Sequence, residues 1–324
     1  MMFYAFGAAV VLATFAAVNA VASIAVMVLA PAAMAALEGA RASTRTRALL
    51  AIRLAPSAVA AAVSFGLVLP AYMLFEPAQA GERITLPLAL LAAGALALAL
   101  HGLVRGARAL SATSAIERRW RAQSEPIADA QSFVPAYRVR DAFPVFTVVG
   151  LRRPSLYVSD RVLDALAPSE IAAAMAHERG HLDARDNVKR LLLRTCPDLV
   201  ALSPLSRTIE QEWARAAEML ADERASRGSR QTALALAAGL VKVARLVPAE
   251  TGGLPVSALH DGGDVDARVR HLIADPDHAA EGPRRGKAFV ILARAVAGAL
   301  GLALAAQSWP VVHEIIEVAA RLLR

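Results

Sequence analysis

The sequence is poor in charge and has almost no cysteine. Charged residues make up 19% of the chain, against about 25% in an average soluble domain. Hydrophobic residues reach 56% and the mean hydropathy is +0.46, so a fully soluble protein is excluded. The one cysteine, Cys196, excludes an internal disulfide framework. It lies in an apolar stretch, and we interpret it as core filling rather than as a nucleophile.

Acidic residues are outnumbered by basic ones, which leaves a net charge of +7. A basic protein can bind nucleic acid, but the sequence has no nucleic-acid motif and no basic stripe with interleaved aromatics. In membrane proteins, Arg and Lys are retained on the cytoplasmic side. We therefore expect a lipid bilayer, and no nucleic acid, among the partners.

Long apolar runs are abundant. About 20 apolar residues suffice to cross a bilayer as a helix. The first run lacks a positive n-region and is too long for a cleaved signal peptide, which predicts a retained span. The least regular run is interrupted by Arg294 and Gln307. The four predicted spans are Met2 to about Ala36, Pro56–Phe75, Ile84–Val104 and Ala288 to about Trp309.

The loops between these runs predict the topology. Arginines dominate 41–53, 105–121 and 284–287, whereas 76–83 has two acids and one Arg. The positive-inside rule places the basic loops in the cytoplasm and the N-terminus outside. The sequence thus predicts a protein of a bacterial-type plasma membrane with three parts. These are a membrane domain with three transmembrane helices at 1–104, a cytoplasmic domain at 105–287, and a fourth helix with a short tail at 288–324.

The polar domain mixes strand and helix patterns. After polar linker sequence through about Gln131, FTVVG and SLYVSD predict two short strands. A helix is expected from Pro168, because proline suits the first turn, to just before Pro197. A second helix is expected from about Thr208 to Ser226. The fold class is therefore an α-helical membrane protein with about four transmembrane helices and an inserted α+β domain.

The sequence AHERGH carries the chemistry. Residues four apart share a helix face, so His177 and His181 can reach one metal ion. Catalytic zinc usually has three protein ligands and a water, and Glu178 would take a proton from that water. Two surface histidines are the alternative. Against it, Gly180 costs such a helix about 1 kcal/mol, which an ordinary surface helix has no reason to bear.

A third ligand is expected from EMLAD on the second helix. Glu218 would bind the metal, and Asp222, one turn later, would accept a hydrogen bond from the far nitrogen of His177. Glu210 and Glu212 compete as ligands but lack a partner acid one turn later. Asp186, five residues after the second histidine of the motif, either orients that histidine or is a solvated helix acid.

At this point the sequence resembles a known family. HERGHLDARD is similar to the core of the BlaR/MecR-type membrane metallopeptidases, as are GLRRPSLYVS, EMLAD and, near Arg268, DARVRHL. The resemblance covers about 133–225 and the arrangement of the spans. It implies a gluzincin fold, a zinc ion and peptide-bond hydrolysis in the cytoplasm. HtpX/Ste-type proteases share HExxH and ExxAD and are the alternative, but three spans before the motif favour the first family.

The resulting hypothesis is a membrane-embedded zinc metalloendopeptidase. Its substrate would be a cytoplasmic or membrane-proximal protein, such as a repressor or the chain itself, cleaved in regulatory signalling. The substrate would lie as an extended strand along 146–150 or 155–160. Arg268, His260 and His271 are candidates for stabilising the oxyanion. The alternatives are an HtpX-like quality-control protease and a non-catalytic signalling protein that retains a metal site.

Overall fold

The computed structural model describes residues 2–76, 83–127, 132–140, 143–246 and 265–274. Within these ranges, three helical segments are long and apolar enough to cross a membrane, by length and composition. The chain is therefore an integral membrane protein. The predicted fourth span lies outside the described residues, as do His260 and the basic segment 284–287.

The helices of the membrane part follow one another closely in the chain. A π-helical turn at Ser64–Val68 directly precedes Pro70, which cannot donate a backbone hydrogen bond, and helix resumes after it. Together with the flanking helices, this turn forms one continuous segment from Ala42 to Phe75. The helices are α1 Met2–Ala36, α2 Ala42–Val63, α3 Leu69–Phe75 and α4 Leu86–Ala122.

The helices that contain the second and third predicted spans are longer than those spans, Pro56–Phe75 and Ile84–Val104. The second segment begins at Ala42 and not at Pro56, and α4 continues to Ala122. Much of the predicted polar linker is thus helix. The reason is that hydropathy reports the part of a helix in lipid, whereas Arg, Ala and Leu are all strong helix formers outside it.

The long helices of the membrane part extend to the α+β domain and contact it. At 1.5 Å per residue, the 37 residues of α4 span about 55 Å, well beyond the roughly 30 Å hydrocarbon core. Helices α1, α2 and α4 all contact the α+β domain: α2 and α4 each pack mainly against one of its helices, and α1 packs against the connection between those two helices. One shared apolar cluster joins Leu37, Leu49 and Ile52 to Ile209 and Trp213.

A four-stranded sheet forms one layer of the α+β domain. The strand order is β1-β2-β4-β3, with β2 parallel to β4 and the other pairs antiparallel. Both predicted strands are confirmed, each one residue shorter. The first two strands were not predicted, because they are only three and four residues long. The strands are β1 Ser124–Pro126, β2 Ala136–Val139, β3 Phe146–Val149 and β4 Ser155–Ser159.

Helices cover the sheet and complete the domain. Its main core lies between the sheet, through Phe146 and Val158, and a helix that contributes Leu236 and Leu240. Each of these side chains is at most 2% exposed. The helices are α5 Asp160–Ala165, α6 Pro168–Ala184, α7 Asp186–Thr195, α8 Pro204–Ala225, α9 Arg230–Leu246 and α10 Val265–Ile273.

The long helix predicted from Pro168 is in fact two helices. It breaks at Arg185, whose φ of 55° lies in the left-handed region. That conformation costs a non-glycine residue roughly 1–2 kcal/mol. Neither Gly nor Pro marks the break, so tertiary contacts must hold it. One of them joins Asp186, the first residue of α7, to His181 of α6.

The connection between α7 and α8 is clamped by the membrane helices. Asn19 of α1 donates a hydrogen bond to the Pro197 carbonyl at 2.9 Å. Arg53 of α2 pairs with Asp198 at 2.6 Å, and both side chains are fully buried. A Cβ at Gly102 of α4 would lie 2.4 Å from the Thr195 carbonyl oxygen, so only glycine permits this approach. Helices α7 and α8 are thereby fixed on the membrane bundle.

Candidate metal centre

Two helices of the α+β domain bring the motif residues together. Helix α6 presents His177, Glu178 and His181, and α8 runs beside it and presents Glu218. All four residues are buried or nearly so, and the His177 side chain is fully buried. Such burial of charged and imidazole groups is costly unless they have partners, so these side chains do not form a solvated helix face.

One nitrogen of each histidine and the carboxylate of Glu218 converge on one point. His177 Nε2 and His181 Nε2 are 3.1 Å apart. Glu218 Oε2 lies 3.3 Å from the first of these nitrogens, and Oε1 lies 3.4 Å from the second. Tetrahedral zinc with bonds of about 2.0–2.1 Å requires its ligand atoms to be about 3.3 Å apart. The observed spacing therefore fits zinc.

The protonation pattern supports the same conclusion. Both Nδ1 atoms face carboxylates, those of Asp222 and Asp186, at 2.8 Å. A proton on each Nδ1 leaves the two Nε2 lone pairs pointing at each other and at a carboxylate. Glu218 Oε2 is moreover buried, and its cationic neighbour among the described residues is Arg268, whose Nη1 lies 3.2 Å away. Such an arrangement calls for a cation between the three groups.

The pKa values around the group reflect this concentration of negative charge. Burial lowers the pKa of His177, but the hydrogen bonds to Asp222 and Glu218 and the charge of Asp222 together outweigh it, and the net shift is upward. Burial likewise acts against the charged form of His181, but Glu218 and Asp186 raise its pKa to about 10. Burial would raise the pKa of Glu218, yet the charges and hydrogen bonds of His181, His177 and Arg268 together hold it well below the usual range. The site thus favours positive charge at its centre, as a divalent cation would supply.

Each histidine has its own carboxylate and its own cation. On the inner side, Asp222 contacts His177 and accepts two hydrogen bonds from Arg268 of α10, at 2.7 and 2.8 Å. On the outer side, Asp186 contacts His181 and pairs with Lys189 at 3.1 Å. The histidine contact of Asp222 is the one predicted from the sequence. The contact of Asp186 favours the orienting role over that of a solvated acid.

Glu178 lies at the wall of a cavity beside the ligand group. The cavity has a volume of about 320 Å³ and is bordered by β3, the end of α6, and α7. Glu178 Oε2 accepts a hydrogen bond from the Val148 amide at 2.9 Å, whereas Oε1 is buried without a partner among the described residues. Burial raises the pKa of Glu178. The carboxyl group is therefore placed and tuned for proton transfer.

The remaining candidates occupy different surroundings. Arg268 is 2% exposed and is not among the residues that border the cavity, so it supports Asp222 and Glu218 rather than facing a substrate. His271 lies 3.5 Å from Glu223 and is half-buried, also away from the cavity. The competing ligands Glu210 and Glu212 instead pair with Arg105 and Arg45 of the membrane helices.

Two basic residues of α7 were missed by sequence reasoning. Lys189 reaches Asp186, and Arg190 borders the cavity and lies 3.3 Å from Glu218 Oε1. If α6 continued straight through Arg185, these residues would lie further along the axis of α6 and away from the site. Only the turn at Arg185 brings α7 back toward the metal group, and no local signal in the sequence marks that turn.

The fold and the site together define an HExxH zinc metallopeptidase whose third metal ligand is a glutamate. Residues 137–272 match the family model of peptidase family M48. This segment, less than half of the chain, is similar to the peptidase domain of that family, whose members depend on zinc, and the His177–His181–Glu218 group fits such a site. No curated protein and no solved structure gives a significant match to the chain.

The family match distinguishes between the two families that the sequence resembles. The HtpX/Ste-type family, ranked second there, is the one supported, and the features specific to BlaR/MecR-type proteins are not shown. The two families share the HExxH core and a downstream glutamate.

Proposed function

We propose that the chain is a membrane-bound zinc endopeptidase that cleaves cytoplasmic or membrane-proximal protein segments. The observation that carries this proposal is the position of Glu178. Its carboxyl group borders the cavity next to the His177–His181–Glu218 group, and one of its oxygens is free of hydrogen bonds within the described chain. A metal site retained only for stability would have no use for a buried acid at this place.

The chemistry is the addition of water across a peptide bond. Zinc, when bound, polarises the carbonyl and lowers the pKa of a coordinated water toward about 7. Glu178 takes the proton from the attacking water and transfers it to the amine nitrogen as the C–N bond breaks. His177, His181 and Glu218 would hold the metal, while Asp222 and Asp186 keep the two imidazoles in the required tautomer.

The edge of the sheet supports binding of an extended substrate. Within the described residues, strand β3 has a neighbouring strand on one side only, and its residues Thr147 and Val148 border the cavity. An extended peptide can add to such an edge through main-chain hydrogen bonds. The second expected edge, 155–160, is excluded because β4 lies between β2 and β3.

The cellular role follows from the family and from the charge pattern. The M48 match favours an HtpX-like role in turnover of membrane proteins over regulatory signalling or cleavage of a repressor or of itself. The arginines at 41–53 and 105–121 support a cytoplasmic peptidase domain, extending over 105–287 as the charge pattern indicates.

The activity is tested with Glu178→Gln in the full-length chain, purified in detergent, with β-casein as an unfolded substrate. We expect cleavage to fall by about 10²–10⁴-fold, the usual contribution of a general base, with one zinc per chain retained. Glu223→Gln is the matched control, because Glu223 lies on α8 and pairs with His271 outside the cavity. Cleavage by Glu178→Gln at the wild-type rate would show that the mechanism is wrong.

The side of the membrane is tested by labelling introduced cysteines in cells with a membrane-impermeant maleimide. Cys196 is buried and is first replaced by Ala. A cysteine at position 82 should be labelled from outside, and one at position 123 should be protected. Labelling at position 123 would place the peptidase domain outside and exclude cytoplasmic substrates.

A further inference from the structure

We propose that Arg190 is a catalytic residue, which donates a hydrogen bond to the scissile carbonyl oxygen as negative charge develops there. This inference rests on the proposed peptidase function. Arg190 lies on α7, borders the same cavity as Glu178 and His181, and contacts the ligand Glu218 at 3.3 Å. Among the described arginines and lysines, it alone combines a contact to the ligand group with a place in the cavity wall.

The surroundings leave this guanidinium free to bind substrate. Its Nε is buried and has no hydrogen-bond partner in the described part of the chain. Its ion pair to Glu218, the one found among the described residues, uses Nη2 at the long distance of 3.3 Å, and the side chain is 41% exposed. A buried donor without a partner costs roughly 1–3 kcal/mol, a cost that a substrate oxygen would remove.

The other cationic candidates are already committed elsewhere. Arg268 is 2% exposed and is held by two hydrogen bonds to Asp222. His271 pairs with Glu223 and does not border the cavity. Arg185 does border the cavity, but no contact joins it to the ligand group in the described structure. A donor must stand about 2.7–3.1 Å from the developing oxyanion, so only a residue beside the metal ligands can act.

The hydrolytic step places a negative charge on the carbonyl oxygen, which such a donor can stabilise. When the water oxygen bonds to the carbonyl carbon, the electron pair of the C=O bond moves onto the carbonyl oxygen. That pair returns when the C–N bond breaks and the amine nitrogen receives its proton from Glu178. A guanidinium beside the oxygen stabilises the charge while it exists and forms a weaker bond with the neutral carbonyl of the substrate. Arg190 therefore lowers the barrier more than it strengthens substrate binding.

The position of Arg190 depends on the membrane bundle. Helix α7 begins at the left-handed Arg185 and ends at Thr195, against Gly102 of α4. An added Cβ at Gly106 of α4 would lie 2.3 Å from the Thr195 side chain. The membrane helices thus fix the helix that presents Arg190, and the peptidase site is complete only in the intact chain.

The test compares Arg190→Gln with the full-length wild type on a quenched fluorescent peptide taken from a β-casein site that the wild type cleaves. We expect kcat to fall by about 10²–10³-fold, the effect of losing one oxyanion donor, with KM changed by less than threefold. A phosphinic peptide that mimics the tetrahedral geometry should lose affinity by a similar factor. Zinc affinity, measured by chelator competition, should stay within threefold of the wild type.

Arg194→Gln is the matched control, because Arg194 lies one turn further along α7, is exposed and does not border the cavity. It should match the wild type in every measurement. Weaker zinc binding with normal kcat at saturating zinc would show that Arg190 only positions Glu218, and would overturn the proposal. If the wild type cleaves peptides with a free C-terminal carboxylate faster than their amides and Arg190→Gln loses that difference, Arg190 binds the end of the substrate, and the proposal is overturned as well. If Glu178→Gln is inactive while Arg190→Gln is fully active, the inference fails and the peptidase function stands.

Discussion

The two histidines of the zinc site are held in similar ways but in different surroundings. On the inner side, the side chains of His177, Asp222 and Arg268 are at most 2% exposed. On the outer side, His181 is 11% exposed and Lys189 is 27% exposed. Because hydrogen bonds and charge pairs are stronger in a low dielectric, the inner set should hold the metal geometry. The outer set borders the cavity, where a substrate must enter.

Loss of the inner ligand should have the largest effect. In His177→Ala we expect nearly complete loss of zinc, because two ligands remain where catalytic zinc uses three. The measurement is zinc per chain by mass spectrometry after gel filtration in detergent. His271→Ala, a histidine outside the ligand group, should keep one zinc per chain. Full zinc occupancy in His177→Ala would rule out this ligand set.

Replacement of Asp222, the carboxylate on the inner side, should have the second-largest effect on zinc binding. We expect Asp222→Asn to weaken zinc binding by about 10–100-fold, the usual cost of losing a partner that orients a ligand histidine. The amide no longer fixes the tautomer of His177, and it leaves the buried charge of Arg268 without its carboxylate. Competition with a chromophoric chelator gives the dissociation constant.

The control for this second prediction is Asp266→Asn, which removes an acid that pairs with Arg270 on the surface of α10. Its zinc affinity should equal that of the wild type. An unchanged dissociation constant in Asp222→Asn would show that the inner set does not hold the geometry, and the contrast between the two sides would disappear.

Local spacing was enough to predict the inner side of the site. His177 and His181 share a face of one helix, and Glu218 and Asp222 share a face of another, so each pair could be inferred from residues four apart. The structure brings the two faces together. Gly180 does not support the metal site, since an added Cβ would only make ordinary contact with Ala221 at 3.4–3.6 Å.

On the outer side, the sequence offered the orienting role of Asp186 as one of two alternatives, but the places of Lys189 and Arg190 could not be predicted, because they depend on the break at Arg185. A left-handed arginine has no sequence signature, and tertiary contacts alone hold it in place. Lys189 and Arg190 therefore looked like surface residues of a longer helix. The short strands β1 and β2 were missed for a related reason, since three or four residues do not establish an alternating pattern.

Removal of the outer carboxylate should cost less than removal of the inner one. In Asp186→Asn we expect zinc binding to weaken by about 10-fold, the lower end of the range for such partners. Water can replace part of the lost contact, because His181 is partly exposed. The same chelator competition measures the change, with Asp183→Asn as a control on the adjoining turn of α6. A loss larger than that of Asp222→Asn would reverse the proposed order of the two sides.

The smallest effect should come from the outer cation. Lys189 pairs with Asp186 at 3.1 Å from a partly exposed position, and exposed ion pairs contribute about 0.2–1 kcal/mol. Lys189→Ala should therefore weaken zinc binding by at most about fivefold. The Debye length falls from about 10 Å at 0.1 M salt to about 3 Å at 1 M, so this small difference from the wild type should vanish at 1 M. The deficit of Asp222→Asn should persist at that salt concentration, because the whole inner set is buried. If both deficits shrink equally with salt, solvent reaches both sides of the metal, and burial does not distinguish them.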